Sequence, residues 1–373
     1  MNILIFVIIL LVLVLVHEFG HFFTAKKFGI RVDEFGFGFP PKIFGVKKGE
    51  TEYSLNLLPI GGFVKIFGEN PDDENTNGPD KEKSFVNKAK WKQAIVLFAG
   101  VFANFLLAWI LFSIGFMSGL PTSVGNEVRG YALEDVNLMI VSVAPDSPAQ
   151  KAFLKSGDKI ISVKNLPAGK TNSFDILDEI NPDTLKSFIV SHPKEGIEIS
   201  YLRGKDKNVQ IAKITPIINS ADGKPMIGIS MDMIGTAKLP FFTALLEGMR
   251  LNWFVTKNTA VGLYTLILEG IQGKGSFASV TGPVGIVGIV GDAYQFGFVY
   301  LLSFTALISV NLAIINLIPF PALDGGRLFF LLIEKIKGSR LNPKFANAAN
   351  LIGFSILILL MLVITYHDVV KLF

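Results

Sequence analysis

The sequence predicts a polytopic α-helical membrane protein of about four transmembrane helices, with an inserted α+β domain and a membrane-associated β-like loop. Three observations carry that prediction. Half of the 373 residues are hydrophobic (50%) and the mean hydropathy is +0.49, too apolar for an ordinary soluble enzyme. Charge is absent from residues 1–16, 94–120, 293–323 and 345–366. The last three runs each exceed the roughly 20 residues that span a hydrocarbon core. Residues 121–236 differ in kind, with short apolar runs separated by turn residues.

The first run reads as a retained helix, because it lacks a basic leader and a small-residue cleavage site. Lys26, Lys27 and Arg31 follow it, and Lys88, Lys90 and Lys92 precede the second run. Arg327, Lys335, Lys337, Arg340 and Lys344 lie between the third and fourth. By the positive-inside rule these two loops face the cytoplasm, and residues 121–236 and both termini lie outside. The net charge of +4 says little by itself. No cysteine is present, which excludes thiolate ligands, a cysteine nucleophile and disulfides.

The pattern divides the chain into 1–120, with the first two passes and a cytoplasmic loop; 121–236, the outer domain; 237–291; and 292–373, with the last two passes. In the cytoplasmic loop, Phe35-Gly36-Phe37-Gly38-Phe39 precedes Pro40-Pro41 and a strand-like stretch, 53–69. That stretch is too apolar for a solvated loop and suggests β-structure dipping into the bilayer face, where backbone must be buried in protein or line a wet cavity. Residues 71–90 are polar and charged and read as a flexible loop. Residues 240–270 carry Phe242, Leu245, Leu246, Met249 and Trp253 at helical spacing, the pattern of a helix lying on the outer membrane surface. The Gly-rich 281–291 leads into the third pass.

In the outer domain the expected strands are 138–143, 159–163, 197–202, 209–214 and 226–231. The expected helices are 147–154, capped by Ser147 with Pro148 at its first position, and 183–190. The run Ala144-Pro145-Asp146-Ser147-Pro148-Ala149, with Lys155-Ser156-Gly157-Asp158-Lys159 close behind, resembles a PDZ domain of the bacterial protease-associated type. PDZ folds add a peptide strand to a sheet edge.

His17-Glu18-Phe19-Gly20-His21 carries the chemistry. Histidines four apart emerge about 40° from one another on one helix face and can hold one zinc. Glu18 is poorly placed as a third ligand; its expected role is to take a proton from water and return one to a leaving amine. A charge at the bilayer centre costs roughly 2.5–3.5 kcal/mol on insertion scales, so groups placed there are expected to be functional. Zinc hydrolases usually take three protein ligands. His192 and His367 are poor candidates, and Asp324, ending the third uncharged run, is the stronger one. The first and third passes run in the same direction, which brings His17, His21 and Asp324 to one depth. The alternative for Asp324 is an interfacial carboxylate paired with Arg327. Pro319 and Pro321 should break the third helix just before Asp324. Asn311 and Asn316 either hydrogen-bond substrate backbone or a tetrahedral intermediate, or make polar contacts between helices.

Together the His17–His21 motif, Asn316-Leu317-Ile318-Pro319-Phe320-Pro321-Ala322-Leu323-Asp324-Gly325-Gly326 and the intervening domain resemble the site-2 protease family, more narrowly its bacterial regulator-of-sigma-E protease branch. The resemblance implies Zn2+ held by His17, His21 and Asp324, with Glu18 as catalytic base. It implies that Asn311, Asn316, Gly36, Phe37, Gly38, Gly61, Gly62 and Phe63 help hold an extended substrate. It also implies regulated intramembrane proteolysis in the bacterial inner (cytoplasmic) membrane. Substrates would be single-pass transmembrane proteins of the anti-sigma-factor or remnant-signal-peptide type, first shortened by an upstream site-1 protease. Membrane lipid is an expected partner and nucleic acid is not. Proteobacterial members carry two tandem PDZ domains, and this chain has room for one. The competing readings are a non-catalytic metal-binding membrane scaffold and a metal transporter or sensor. Glu18 argues against the first, and convergence of the ionisable groups on one end argues against the second.

Overall fold

The computed structural model describes residues 1–70, 73–128, 130–166, 175–193, 195–204, 206–219, 223–273 and 281–370. In chain order, α1 (Asn2–Lys27) leads into β1 (Val32–Lys48), β2 (Thr51–Ile66) and a short α2 (Asp73–Asn77), and then into α3 (Lys90–Ser118). The strand-rich region holds β3 (Leu120–Ser123), β4 (Glu134–Val143), α4 (Pro148–Lys151), β5 (Asp158–Leu166) and α5 (Pro182–Ser191). It continues through β6 (Gly196–Arg203), β7 (Gln210–Ile214), β8 (Ile217–Ile218), β9 (Pro225–Met226) and β10 (Ile229–Ala237). The remainder is helical: α6 (Phe241–Ile271), α7 (Pro283–Phe296), α8 (Phe298–Leu317), α9 (Asp324–Lys337) and α10 (Pro343–Val370). Among the described residues α1, α3, α8 and α10 are long and apolar enough to cross a membrane, as the four uncharged runs predict.

These elements form two compact units. One comprises residues 1–113, 248–291 and 303–373; the other comprises 114–247 and 292–302. In the first, α1 buries Ile9, Leu13, His17, His21 and Ala25, a strict i, i+4 row. Such a row is one ridge of a helix surface, suited to packing in the groove of a neighbour. That neighbour is α3: a Cβ on Gly20 would lie 2.3 Å from the carbonyl oxygen of Ala99 and 3.0 Å from the Cβ of Ala103, so the two backbones approach closely only because residue 20 has no side chain.

β1 and β2 each bend, making a sheet of four segments. Residues 42–48 pair antiparallel with 51–56 through partners such as Gly45 and Ser54. Residues 32–37 pair antiparallel with 62–66. The segments are joined along Phe35–Tyr53, Gly36–Ser54 and Phe37–Leu55, partners that advance together and so run in the same direction. Segment 62–66 is therefore an outer edge. Phe22 on α1 stacks edge-on against Phe35 and Tyr53, fixing the sheet to the helix.

Three expectations change here. The stretch 71–90, of which 71–72 lie outside the described residues, is anchored rather than loose. Ser84 and Phe85 are buried, Phe85 N–H donates to Phe67 O (2.9 Å), and Arg31 binds Asp80 (2.6 Å). Asp80 and Lys83 are held in ion pairs, and Phe85 docks in the core with Ile30, Val32 and Val96. The run 293–323 is not one helix, because Gly297 (φ 117°) separates α7 from α8. Hydropathy is blind to a single glycine in an apolar run. The helix expected at 240–270 forms, but Asn252 of α6 donates to Phe105 O on α3 (3.0 Å) and Leu251 and Val255 pack against Ala108 and Phe112, so one face of α6 packs on protein.

The second unit is a six-stranded sheet in the order β3-β10-β4-β5-β6-β7, with α4 and α5 against its core. Ser147 caps α4 by accepting from Gln150 N–H, and Asn181 with Thr184 forms a capping box on α5. The strand expected at 226–231 is interrupted at Gly228 (φ 81°), leaving β9 and β10 as separate strands. β10 pairs with β4 from Ile229 and with β3 only from Ile234, so the other edge of 229–232 is unpaired among the described residues. Beside it a cavity of about 420 Å³ is lined by Lys186, Ile189 and Val190 of α5 and by Met226, Ile229 and Met231.

Asp158 is fully buried under this sheet and accepts two hydrogen bonds from Arg203, each 2.7 Å. Removing one partner of a buried pair leaves an uncompensated charge, at a cost of roughly 3–5 kcal/mol. Arg203→Leu should therefore lower the urea midpoint of the second unit and accelerate hydrogen exchange in β5 and β6. Unaltered exchange there would show that the pair does not hold the sheet.

Candidate metal centre and active site

His17 and His21 leave α1 one turn apart and point the same way, their Nε2 atoms 3.2 Å from each other. Asp324 Oδ2 lies 3.0 Å from His17 Nε2 and 3.2 Å from His21 Nε2. Among the described residues these three form the one group of His, Asp and Glu donors close enough to share an ion. Donors at about 2.0–2.1 Å from a tetrahedral zinc lie about 3.3 Å apart, so the triangle fits Zn2+ and leaves the fourth position open. Asp324 Oδ2 is buried with only the two imidazoles against it. Burial would raise its carboxyl, but the facing imidazoles outweigh that and hold it below the usual carboxylate range.

Local sequence explains each placement. Residues 318–323 form a tight turn between α8, which stops at Leu317, and α9, whose first residue is Asp324. This matches the break expected from Pro319 and Pro321. Asn350 of α10 accepts from Ala322 N–H at 3.1 Å, and Gly353 leaves room for the carbonyl of Pro321. Arg327 does not pair with Asp324; it forms an ion pair with Glu69, just after β2. The interfacial alternative for Asp324 thus loses its partner. His21 Nδ1 donates to Val96 O on α3 (2.8 Å), which leaves Nε2 free to face Asp324.

Helix α3 supplies groups that the motifs do not reveal. A Cβ on Gly100 would sit 2.3 Å from His21 Nε2 and 2.8 Å from His17 Cε1, inside the space the ion needs. Asn104, buried on the next turn, brings its carboxamide to 3.5 Å from His17 Nδ1. A glycine and an asparagine in an apolar run give no metal-site spacing of their own, and nothing in the order of the chain ties them to residues 17 and 21.

Glu18, one position round the helix, is partly buried, and its carboxylate lies against the backbone N–H of Val64 in the outer segment 62–66. The six expected substrate residues in the sheet therefore separate. Gly62 and Phe63 lie on that outer segment and Gly61 just before it, whereas Gly36 and Phe37 are in the inner segment with both edges paired. The backbone oxygen of Gly38 accepts from Asn56 (3.1 Å). Asn311 and Asn316 are half-buried on α8 and make no hydrogen bond to another described residue. Five residues apart, they point about 140° from one another and do not share a face. His192 packs on Phe188 in the second unit and His367 ends α10; neither joins the donor triangle.

The sequence model of peptidase family M50, the site-2 protease family, matches residues 5–360. A Clostridium perfringens protein is 35% identical over 96% of this chain and 95% of its own length, and one from Clostridium acetobutylicum is 33% identical over 99% and 97%. Both are named, provisionally, zinc metalloproteases. The zinc metalloprotease RasP of Geobacillus kaustophilus is 28% identical over 99% of this chain and 97% of its own length. With a zinc-sized donor triangle beside a glutamate and four apolar helices already in place, the chain belongs to peptidase family M50 and is a multi-pass membrane zinc metalloprotease.

Proposed function

We propose that this protein hydrolyses a peptide bond within the transmembrane segment of single-pass membrane proteins, of the anti-sigma-factor or remnant-signal-peptide type. The reading rests on one observation above all: three mutually facing donors at 3.0–3.2 Å, on helices whose surroundings are apolar. His17, His21 and Asp324 hold the zinc. Zn2+, when bound, polarises a carbonyl and makes water more acidic. Glu18 takes the proton of the attacking water at its carboxylate and returns it to the leaving amine.

A transmembrane helix hides its peptide bonds in its own hydrogen bonds, so a stretch must unwind before attack. Among the described residues no strand pairs with the outer side of segment 62–66, beside Glu18, where an unwound stretch replaces lost bonds by strand addition. Asn311 and Asn316, without partners among the described residues, are available to substrate backbone. The location is the bacterial inner membrane, with the metal centre towards the cytoplasm, as the lysine-rich loops indicate. The second unit is PDZ-like and extracytoplasmic. Its unpaired 229–232 edge and the α5 cavity suit an extended peptide and filter substrates already shortened by an upstream protease.

Glu18→Gln should retain zinc and lower cleavage of a purified single-pass reporter in detergent by roughly 10²–10⁴-fold. Cleavage at the wild-type rate would sink the mechanism. Asp324→Ala should reduce bound zinc by metal analysis, and an unchanged stoichiometry removes it from the ligand set. Gly100→Val should also exclude zinc while the four helices remain inserted; full zinc occupancy would mean that α3 does not shape the pocket.

A further inference from the structure

Each imidazole that binds a metal through Nε2 carries its remaining proton on Nδ1, and that proton needs an acceptor if it is buried. For His21 the acceptor is the Val96 carbonyl at 2.8 Å. For His17 no backbone carbonyl among the described residues takes that place. The group facing its Nδ1 is the Asn104 carboxamide, at 3.5 Å, on a side chain with no solvent exposure. The oxygen of that same carboxamide is buried without a hydrogen-bond partner. An orphaned buried acceptor costs about 1–3 kcal/mol, and a donor without an acceptor lies on the same residue's doorstep. The two ends of a carboxamide are told apart only by their partners. The structure sets Nδ2 at that 3.5 Å; a half-turn about χ2 brings Oδ1 to His17 Nδ1–H instead, giving the imidazole proton an acceptor and placing the carboxamide nitrogen where Oδ1 lies.

We propose that Asn104 is a positioning residue for zinc: its Oδ1 accepts from His17 Nδ1–H, holding the tautomer whose Nε2 faces His21 and Asp324. Ser309 of α8 donates to the Asn104 backbone oxygen at 2.8 Å, so residue 104 joins α1, α3 and α8 at one level. The two histidines are thus oriented by one helix in two ways, through a main-chain carbonyl at Val96 and a side-chain one at Asn104. A backbone acceptor survives any substitution; a side-chain acceptor does not, so Asn104 is where the metal site is vulnerable on α3.

The inference rests on the reading of His17, His21 and Asp324 as zinc ligands, and its test separates the two. Zinc affinity is measured by chelator competition on purified full-length protein in detergent. Asn104→Leu should weaken binding by roughly 10–100-fold, the usual effect of losing such a partner. Asn104→Asp keeps an acceptor oxygen and should restore tight binding. Ser309→Ala removes the bond to the same residue's backbone without touching the carboxamide, and should leave affinity unchanged. Wild-type affinity in Asn104→Leu, or an equal loss in Ser309→Ala, overturns the assignment. If Asn104→Leu does not fold, ¹⁵N NMR of histidine-labelled metal-free wild type decides: His17 is expected as the Nδ1–H tautomer, and an Nε2–H tautomer overturns it. Unchanged zinc in Asp324→Ala would instead remove the underlying ligand reading, whatever the tautomer.

Discussion

Everything at the metal centre depends on how closely α1 can approach α3. The i, i+4 row that packs these helices is the same row that carries His17 and His21, so ligand placement and helix packing are one constraint. Gly20 lets the backbones meet, and Gly100 prevents that meeting from filling the ion's space. A ridge advancing by four residues drifts about 40° per step, so two imidazoles on it diverge only slightly and converge on one point between the helices. The third donor follows a tight turn whose two prolines forbid helix, and Gly325 and Gly326 at the start of α9 admit the crowded carbonyls of Leu317, Ile318 and Phe320.

Around that point the surroundings divide the work. The side towards α3 is buried, with Val96 and Asn104 behind the histidines. The side towards the sheet carries Glu18 and the backbone of segment 62–66. The Arg327–Glu69 pair ties the helix that begins with Asp324 to the residues following that segment. Glu18, segment 62–66 and the helix that begins with Asp324 are therefore tied together by protein contacts.

Much of this was legible in the chain. Four spans, the His17–His21 face, the break before Asp324 and the strand-rich domain follow from charge-free runs, helical spacing and proline chemistry. What stayed hidden has a common cause: its signal is an absence. Gly100 acts by lacking a side chain, Gly297 by ending a helix inside an unbroken apolar run, and Phe85 by docking from a segment whose composition is that of a loose loop. Asn104 is a polar residue in a helix where a contact with a neighbouring helix would equally suffice. The sheet's double bend is likewise invisible, since alternation fixes which residues are strand but not which segments pair.

The support of the 318–323 turn has a consequence for biosynthesis. His17 and His21 are made about 300 residues ahead of the turn that presents Asp324, and that turn is held by Asn350 and packed against Gly353, both in α10. The growing chain therefore carries two of the three donors before α10 exists to brace the third. The three-donor triangle reaches its braced geometry only when α10 stands beside the turn.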